Sequence, residues 1–257
     1  MTKSIIITGR GGTGKTTFTA LASRFLPRPR LLIDADPDQC LAVMLGVDLA
    51  AEGVRTVSEA LFEIQSGRLP AEVKSLPLAD RVEYLLHLSC LYESDDFDLL
   101  TLGVKWTRGC YCAPNDALRA IIPTLAGSYR SVVLDSPAGI EHVNRRVLGA
   151  ADDVFAVLDP SAKAIRNART VRDLAGEIGM DFRNLYLVAN HRFPPERVAA
   201  LADIDGADLL GQVAPDSAVE RADWEGRSLL DLPADSPACT SVAAILRHAG
   251  YGLEGAA

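Results

Sequence analysis

Short apolar runs alternate with stretches of helical spacing along most of the chain. The runs Ser4–Thr8, Arg30–Asp34, Leu99–Gly103, Ser131–Asp135, Val154–Leu158, Leu185–Ala189 and Leu209–Val213 have the length and continuous hydrophobicity of strands covered on both faces. Between them, 3.6-residue periodicity predicts helices over Lys15–Phe25, Asp116–Ala126, Ile140–Ala150, Ala162–Ile178, Pro195–Ala202 and Ser236–His248. Strands alternating with helices imply right-handed crossovers, so the expected fold class is α/β: a mostly parallel twisted sheet with helices on both faces. At 257 residues the chain suits one domain over 1–257. Segment 51–96 is less regular, with one helical stretch at Thr56–Gly67 and an acidic end at Glu93-Ser94-Asp95-Asp96. It is expected to pack at the sheet edge or near a partner.

Composition narrows the picture mainly by exclusion. Hydrophobic residues make up 48% and charged residues 23%, ordinary for a globular chain and unlike bulk disorder. A net charge of −8 argues against a general nucleic-acid binder. No apolar stretch is long enough to span a bilayer, and the N-terminus enters a strand without a signal region. A cytoplasmic location with no membrane or nucleic-acid partner is expected. The five cysteines are too few and too unevenly spaced for a disulfide framework.

Chemistry enters at the first strand-to-helix turn, where Gly9-Arg10-Gly11-Gly12-Thr13-Gly14-Lys15-Thr16 has the form GxxxxGK[ST]. Its glycines let backbone N–H groups face a polyphosphate at a helix N-terminus. Gly11, Gly12, Thr13, Gly14, Lys15, Thr16 and Thr17 form the expected nucleotide-binding set. Lys15 would reach the β and γ phosphates, and the Thr16 hydroxyl would ligate Mg²⁺. In sheets of this class ligands bind beyond the carboxyl ends of the strands. The second strand ends in Asp34-Ala35-Asp36-Pro37-Asp38, where Asp36 is suited to orient the attacking water or a metal-bound water and Asp38 to cap the following helix. Another strand ends in Asp135-Ser136-Pro137-Ala138-Gly139, an aspartate for the Mg²⁺ shell followed by a switch-like glycine. Asn190, after a later strand, carries the donor and acceptor that an adenine edge requires, or is an ordinary turn residue.

The segment Arg108-Gly109-Cys110-Tyr111-Cys112-Ala113-Pro114 is expected to be a loop. Cysteines two apart point to opposite faces of an extended chain, so a turn is needed before Cys110 and Cys112 can hold one ion. Two thiolates leave a soft divalent ion half-coordinated, whereas a symmetric dimer would supply four. That suits tetrahedral Zn²⁺ or square-planar Ni²⁺. Cys40, Cys90 and Cys239 are read as packing residues, and His142 as a structural hydrogen-bonder.

Taken together, these segments resemble a known family. The phosphate loop is similar to the deviant form, KGGxGK[ST], of the ATPases that include MinD, ParA and the nitrogenase iron protein. DADPDQCL at Asp34–Leu41, CYC at Cys110–Cys112 and DSPAGIEH at Asp135–His142 resemble the CooC family, ATPases that assist nickel insertion into carbon monoxide dehydrogenase. The resemblance implies an ATP-hydrolysing homodimer that sandwiches ATP or ADP with Mg²⁺. It implies a water-activating role for Asp36, a metal ion, Ni²⁺ with Zn²⁺ possible, shared by the CxC cysteines of two subunits, and carbon monoxide dehydrogenase as partner. It also places Asn190 and the backbone near Pro215 around adenine. The family's signature lysine, which reaches the partner's phosphates, is Arg10 here. Arginine keeps the charge and can grip phosphate through two nitrogens, but its length and planarity differ. Rapid cross-subunit catalysis and slowed turnover both remain open. A positioning switch of the ParA or MinD kind, without a metal, is the alternative function.

Overall fold

The structure, a computed structural model, describes residues 2–104, 112–138, 150–166, 168–170, 181–204 and 206–254, without side chains for 78–79, 112–115 and 181. Eight strands form one sheet: β1 (Lys3–Thr8), β2 (Arg30–Asp34), β3 (Leu91–Tyr92), β4 (Asp98–Thr101), β5 (Ser131–Asp135), β6 (Ala150–Leu158), β7 (Asp181–Ala189) and β8 (Asp208–Gln212). Their order is β3-β4-β2-β5-β1-β6-β7-β8, parallel throughout except for β3 on β4. The chain builds outward from β1 to one side, returns through β5, and then crosses to β6. The loops after β1 and β5 therefore flank the point where strand order reverses.

The alternation within β1 assigns the two faces. Ile5 and Ile7 point to one layer with Phe18 and Leu21 of α1 (Lys15–Ser23), and Ile6 points to the other. The strands β2 and β5 are buried at every position, as continuous apolar runs require. Phe18 packs on Phe155 of β6 with ring centroids 5.7 Å apart, seating α1 directly over the sheet centre.

Along the β2 side come α2 (Cys40–Met44), α3 (Val57–Ser66), α4 (Ala71–Lys74), α5 (Leu78–Leu85) and α6 (Cys112–Ala126). Thr56 and Glu59 form a reciprocal capping box at the start of α3, and Gly67, with φ 67°, ends it. Segment 51–96 is thus more ordered than its mixed pattern suggests, and it does reach the sheet edge through the two-residue strand β3. The described part of α6 opens at Cys112, so the loop expected through Pro114 is helical from there on.

Beyond β7 lie α7 (Pro195–Val198), α8 (Ser217–Glu225) and α9 (Pro237–His248), the last capped by the Ser236 hydroxyl. The α8 helix is absent from the sequence reading because its turns carry few apolar residues. The strand β6 starts at Ala150, where helix was expected, and most of the predicted helix Ile140–Ala150 lies outside the described residues. Among the described residues, no helix is long and apolar enough to cross a membrane.

Candidate nucleotide site

The carboxyl ends of β1, β2 and β5 bring the sequence-predicted phosphate and magnesium residues together. Gly9 leaves β1 with φ +153°, and a Cβ placed there would stand 2.4 Å from the Val157 carbonyl of β6. Only glycine lets the loop pass this close to a paired strand. Gly12 and Gly14, at φ +73° and +90°, then turn the backbone into α1. The loop is held by its own atoms. Thr13 N–H, Thr13 Oγ1 and Lys15 Nζ all donate to the Arg10 carbonyl, at 3.3, 2.9 and 3.2 Å. Lys15 is buried, and its ammonium is thereby fixed at the mouth of the loop before any phosphate arrives. The Arg10 side chain is half-buried at the loop's shoulder.

Strand register places Asp34 directly opposite Asp135, on adjacent strands about 5 Å apart. Both are fully buried. Burial and the Asp135 carboxyl push Asp34 up to about 8, against two backbone N–H bonds from Asp36 and Leu41, at 3.0 and 3.1 Å. Burial raises Asp135 to about 6, while the Thr16 hydroxyl, the Lys15 ammonium and the Thr19 hydroxyl oppose the shift. Thr19 donates to Asp135 Oδ1 at 3.1 Å, whereas Asp135 Oδ2 is buried with no partner among the described residues. Thr8 Oγ1 and Thr101 Oγ1 are orphaned in the same way, at the ends of β1 and β4.

An unsatisfied buried carboxylate oxygen beside the Thr16 hydroxyl is a hard-oxygen donor set, and it fits Mg²⁺. Asp36, half-buried, accepts the Asp38 N–H on Oδ1 at 3.1 Å. The predicted capping role of Asp38 is not seen: Asp38 is exposed, α2 begins after Gln39 without a side-chain cap, and Asp34 Oδ2 takes the Leu41 N–H instead. Cys40, expected to be packed, is exposed at the start of α2, because that helix turns its buried face through Leu41 and Ala42. Cys90 and Cys239 are buried, as packing residues should be.

A cavity of about 170 Å³ adjoins the loop, lined by Thr13, Gly14, Thr17, Phe18, Asn190, His191, Val213 and residues of α8. Asn190 lies at this border, 2% exposed. Its Nδ2 donates to the Thr13 carbonyl at 3.2 Å, and its Oδ1 accepts the Arg192 N–H at 3.0 Å. One N–H and one lone pair remain for a ligand. Pro215 is exposed in the loop after β8. Next to it, Asp216 stays below the usual carboxylate range: burial would raise it, but backbone N–H bonds from Ala238 and Ala218 outweigh this.

Sequence reasoning missed Thr19, the positioning role of Asp34, and Arg192, whose guanidinium reaches the Gly12 carbonyl. Only Thr19 carried a usable signal, a hydroxyl one helical turn after Lys15. The metal-site prediction is a different case: Cys110 lies outside the described residues, as do Gly139 and His142, and only the backbone of Cys112 is described. Among the described residues there is no group of three metal-ligating side chains.

No protein-family model matches the chain. An uncharacterized ATP-binding protein of Methanocaldococcus jannaschii is 33% identical over 237 residues, covering 89% of this chain and 91% of that protein. The carbon monoxide dehydrogenase accessory protein CooC of Rhodospirillum rubrum is 30% identical over 261 residues, covering 96% and 97%. Among solved structures, the septum site-determining protein MinD of Pyrococcus horikoshii, complexed with Mg-ADP, superposes with TM-score 0.66 at 20% identity, covering 97% and 96%. A ParA family ATPase of Chlorobium tepidum gives 0.70 at 17%, covering 95% and 98%. With its phosphate loop, buried aspartate pair and near full-length similarity to CooC, the chain belongs to the CooC family within the MinD and ParA group of deviant phosphate-loop ATPases.

Proposed function

We propose that this ATPase is a nickel metallochaperone: it binds ATP with Mg²⁺, hydrolyses it as a homodimer, and uses the cycle to assist nickel insertion into carbon monoxide dehydrogenase. The observation that carries the nucleotide part is the orphaned Asp135 Oδ2, buried beside Thr16 at the end of β5 and next to the preformed phosphate loop. The metal part is supported by the similarity to CooC over nearly the whole chain together with the CxC pair, Cys110 and Cys112.

In this reading the loop amides from Gly11 to Thr16 and the Lys15 ammonium hold the polyphosphate, with Thr17 and Asn190 at the nucleoside side. Thr16 and Asp135 would hold Mg²⁺, which when bound neutralises charge between the β and γ phosphates. Asp36 orients a water toward the γ phosphorus through the carboxylate oxygen that Asp38 leaves open. Asp34 fixes the Asp36 backbone through the Asp36 N–H, and its burial beside Asp135 favours its neutral form. As the water oxygen bonds to phosphorus, the bond to the bridging oxygen breaks and ADP leaves. Arg10 supplies positive charge to the phosphates of the second subunit. Near Pro215 the backbone closes on adenine.

Nickel is the cargo. Cys110 and Cys112 from two subunits offer four thiolates, a set that also suits Zn²⁺. Equilibrium dialysis with Ni²⁺ compares the wild type with a Cys110→Ser, Cys112→Ser double variant. Loss of one ion per dimer is expected, and equal binding by both proteins overturns the metal role. Sedimentation with ADP or an ATP analogue, with and without Ni²⁺, reads the dimer. The fold shared with MinD and ParA supports a second reading, a positioning switch, for which retention on liposomes or DNA with ATP is the test.

A further inference from the structure

The turn after β7 grips the phosphate loop at two successive carbonyls. Asn190 Nδ2 donates to the Thr13 carbonyl at 3.2 Å, and a terminal nitrogen of Arg192 donates to the Gly12 carbonyl. In a trans peptide the carbonyl and the following N–H point in opposite directions. Drawing these two carbonyls toward the turn therefore directs the N–H groups of Thr13 and Gly14 away from it, into the loop. The first of these can be followed directly, since Thr13 N–H points across the loop to the Arg10 carbonyl.

The turn is itself braced. Gln212 Nε2, at the end of β8, donates to the Asn190 and Phe193 carbonyls at 3.1 and 2.8 Å. Arg192 N–H is tied to Asn190 Oδ1, and Phe193 is buried at 4% exposure. A guanidinium rising from a turn anchored on three sides is held in place, and a bond from a charged donor is stronger than a neutral one. The Arg192 side chain is exposed, so its removal leaves the Gly12 carbonyl to water and costs the fold little.

We propose that Arg192 is a positioning residue for nucleotide binding, holding the Gly12 carbonyl and with it the Thr13 N–H bond to the Arg10 carbonyl that closes the phosphate loop around Lys15. It ties the loop to the turn that borders the nucleoside cavity, and it acts without touching the reacting atoms. The proposal rests on the ATP-binding reading above.

The experiment compares wild type, Arg192→Met and Arg192→Lys in the full-length protein, by calorimetric titration with Mg-ATP, steady-state hydrolysis and thermal melting. Arg192→Met keeps the stem and removes the donor; it is expected to weaken ATP binding and raise KM about tenfold with kcat within about twofold, the pattern of lost uniform binding. Arg192→Lys restores a cationic donor and returns KM to within about threefold of wild type. Melting temperatures of all three should agree within a few degrees. An unchanged KM in Arg192→Met overturns the proposal, as does an equal loss in both variants together with lowered melting temperatures. If wild type itself fails to bind ATP, both this proposal and the ATP-binding reading fall. Wild-type binding with unaffected variants removes the clamp alone.

Discussion

The tightest constraint on the site is the passage of Gly9 past β6, and Gly9→Ala tests it. A Cβ at this position would stand 2.4 Å from the Val157 carbonyl and 2.8 Å from Thr13 Oγ1. Ordinary carbon–oxygen contacts are nearer 3.4 Å, so something must move by roughly 1 Å. The Thr13 hydroxyl can rotate away, but the Val157 carbonyl belongs to a strand flanked by β1 and β7 over most of its length. The loop must shift instead, which pulls the Arg10 carbonyl from Lys15 and Thr13. Forcing extra volume into a packed site typically costs about 1–3 kcal/mol, and the positive φ of Gly9 adds about 1 kcal/mol more. The expected total is roughly 3 kcal/mol of stability, with ATP affinity falling at least about tenfold because the N–H groups no longer converge. Gly12→Ala is the control: nothing lies within 4 Å of its Cβ, leaving only the strain of φ +73°, about 1 kcal/mol. Urea unfolding and Mg-ATP titration measure both quantities. If Gly9→Ala lies within about 0.5 kcal/mol of wild type, or is milder than Gly12→Ala, the close-approach argument is refuted.

The buried carboxylates predict a pH dependence of the nucleotide-free protein. Asp34 and Asp135 have folded pKa values of about 8 and 6, raised from 3.8, so the folded state holds protons that the unfolded state has released. Stability is therefore fully present below pH 4 as far as these groups are concerned, and is lost as pH rises toward 8, by roughly 1 kcal/mol per pH unit for each proton held. Urea midpoints from pH 5 to 8 should fall, and Asp34→Asn should flatten the slope; an unaltered slope refutes the raised pKa of Asp34. Asp135→Asn removes the anionic oxygen beside Thr16. Mg²⁺ dependence of ATP binding, read by titration with and without EDTA, should disappear, and its full retention would place the metal elsewhere. On β6, Asp153 is 1% exposed and is bonded by Tyr251 and Asn184, with Lys3 Nζ 3.6 Å away. Asp153→Ala should cost about 2–4 kcal/mol in urea unfolding by stranding these partners. It lies five residues before the active end of its strand, roughly 16 Å, so KM for ATP should stay unchanged.

Much of the molecule was legible in local pattern. Seven of the eight strands follow from apolar runs, because a strand covered on both faces needs hydrophobic side chains at successive positions. The short β3 and the polar α8 escaped for the converse reason: neither buries enough of its own surface to leave a period. The loop Gly9–Thr16, Asp135 at the end of β5 and Asn190 after β7 were visible because strand ends on one edge of a parallel sheet must share a site. The helical backbone of α6 over Cys112–Asn115 was hidden by Pro114, which reads as a helix breaker.

What the chain determined by itself is therefore the class of fold, the phosphate loop and the family, since each is written in short-range spacing. What only the tertiary structure decided is how distant atoms meet. Register set Asp34 against Asp135, and burial then lifted both pKa values. The turn at Asn190 and Arg192 met carbonyls some 180 residues away, where no sequence period records the contact. Such pairings depend on strand order and on the direction of a few peptide planes, which are settled only when the whole sheet closes around β1.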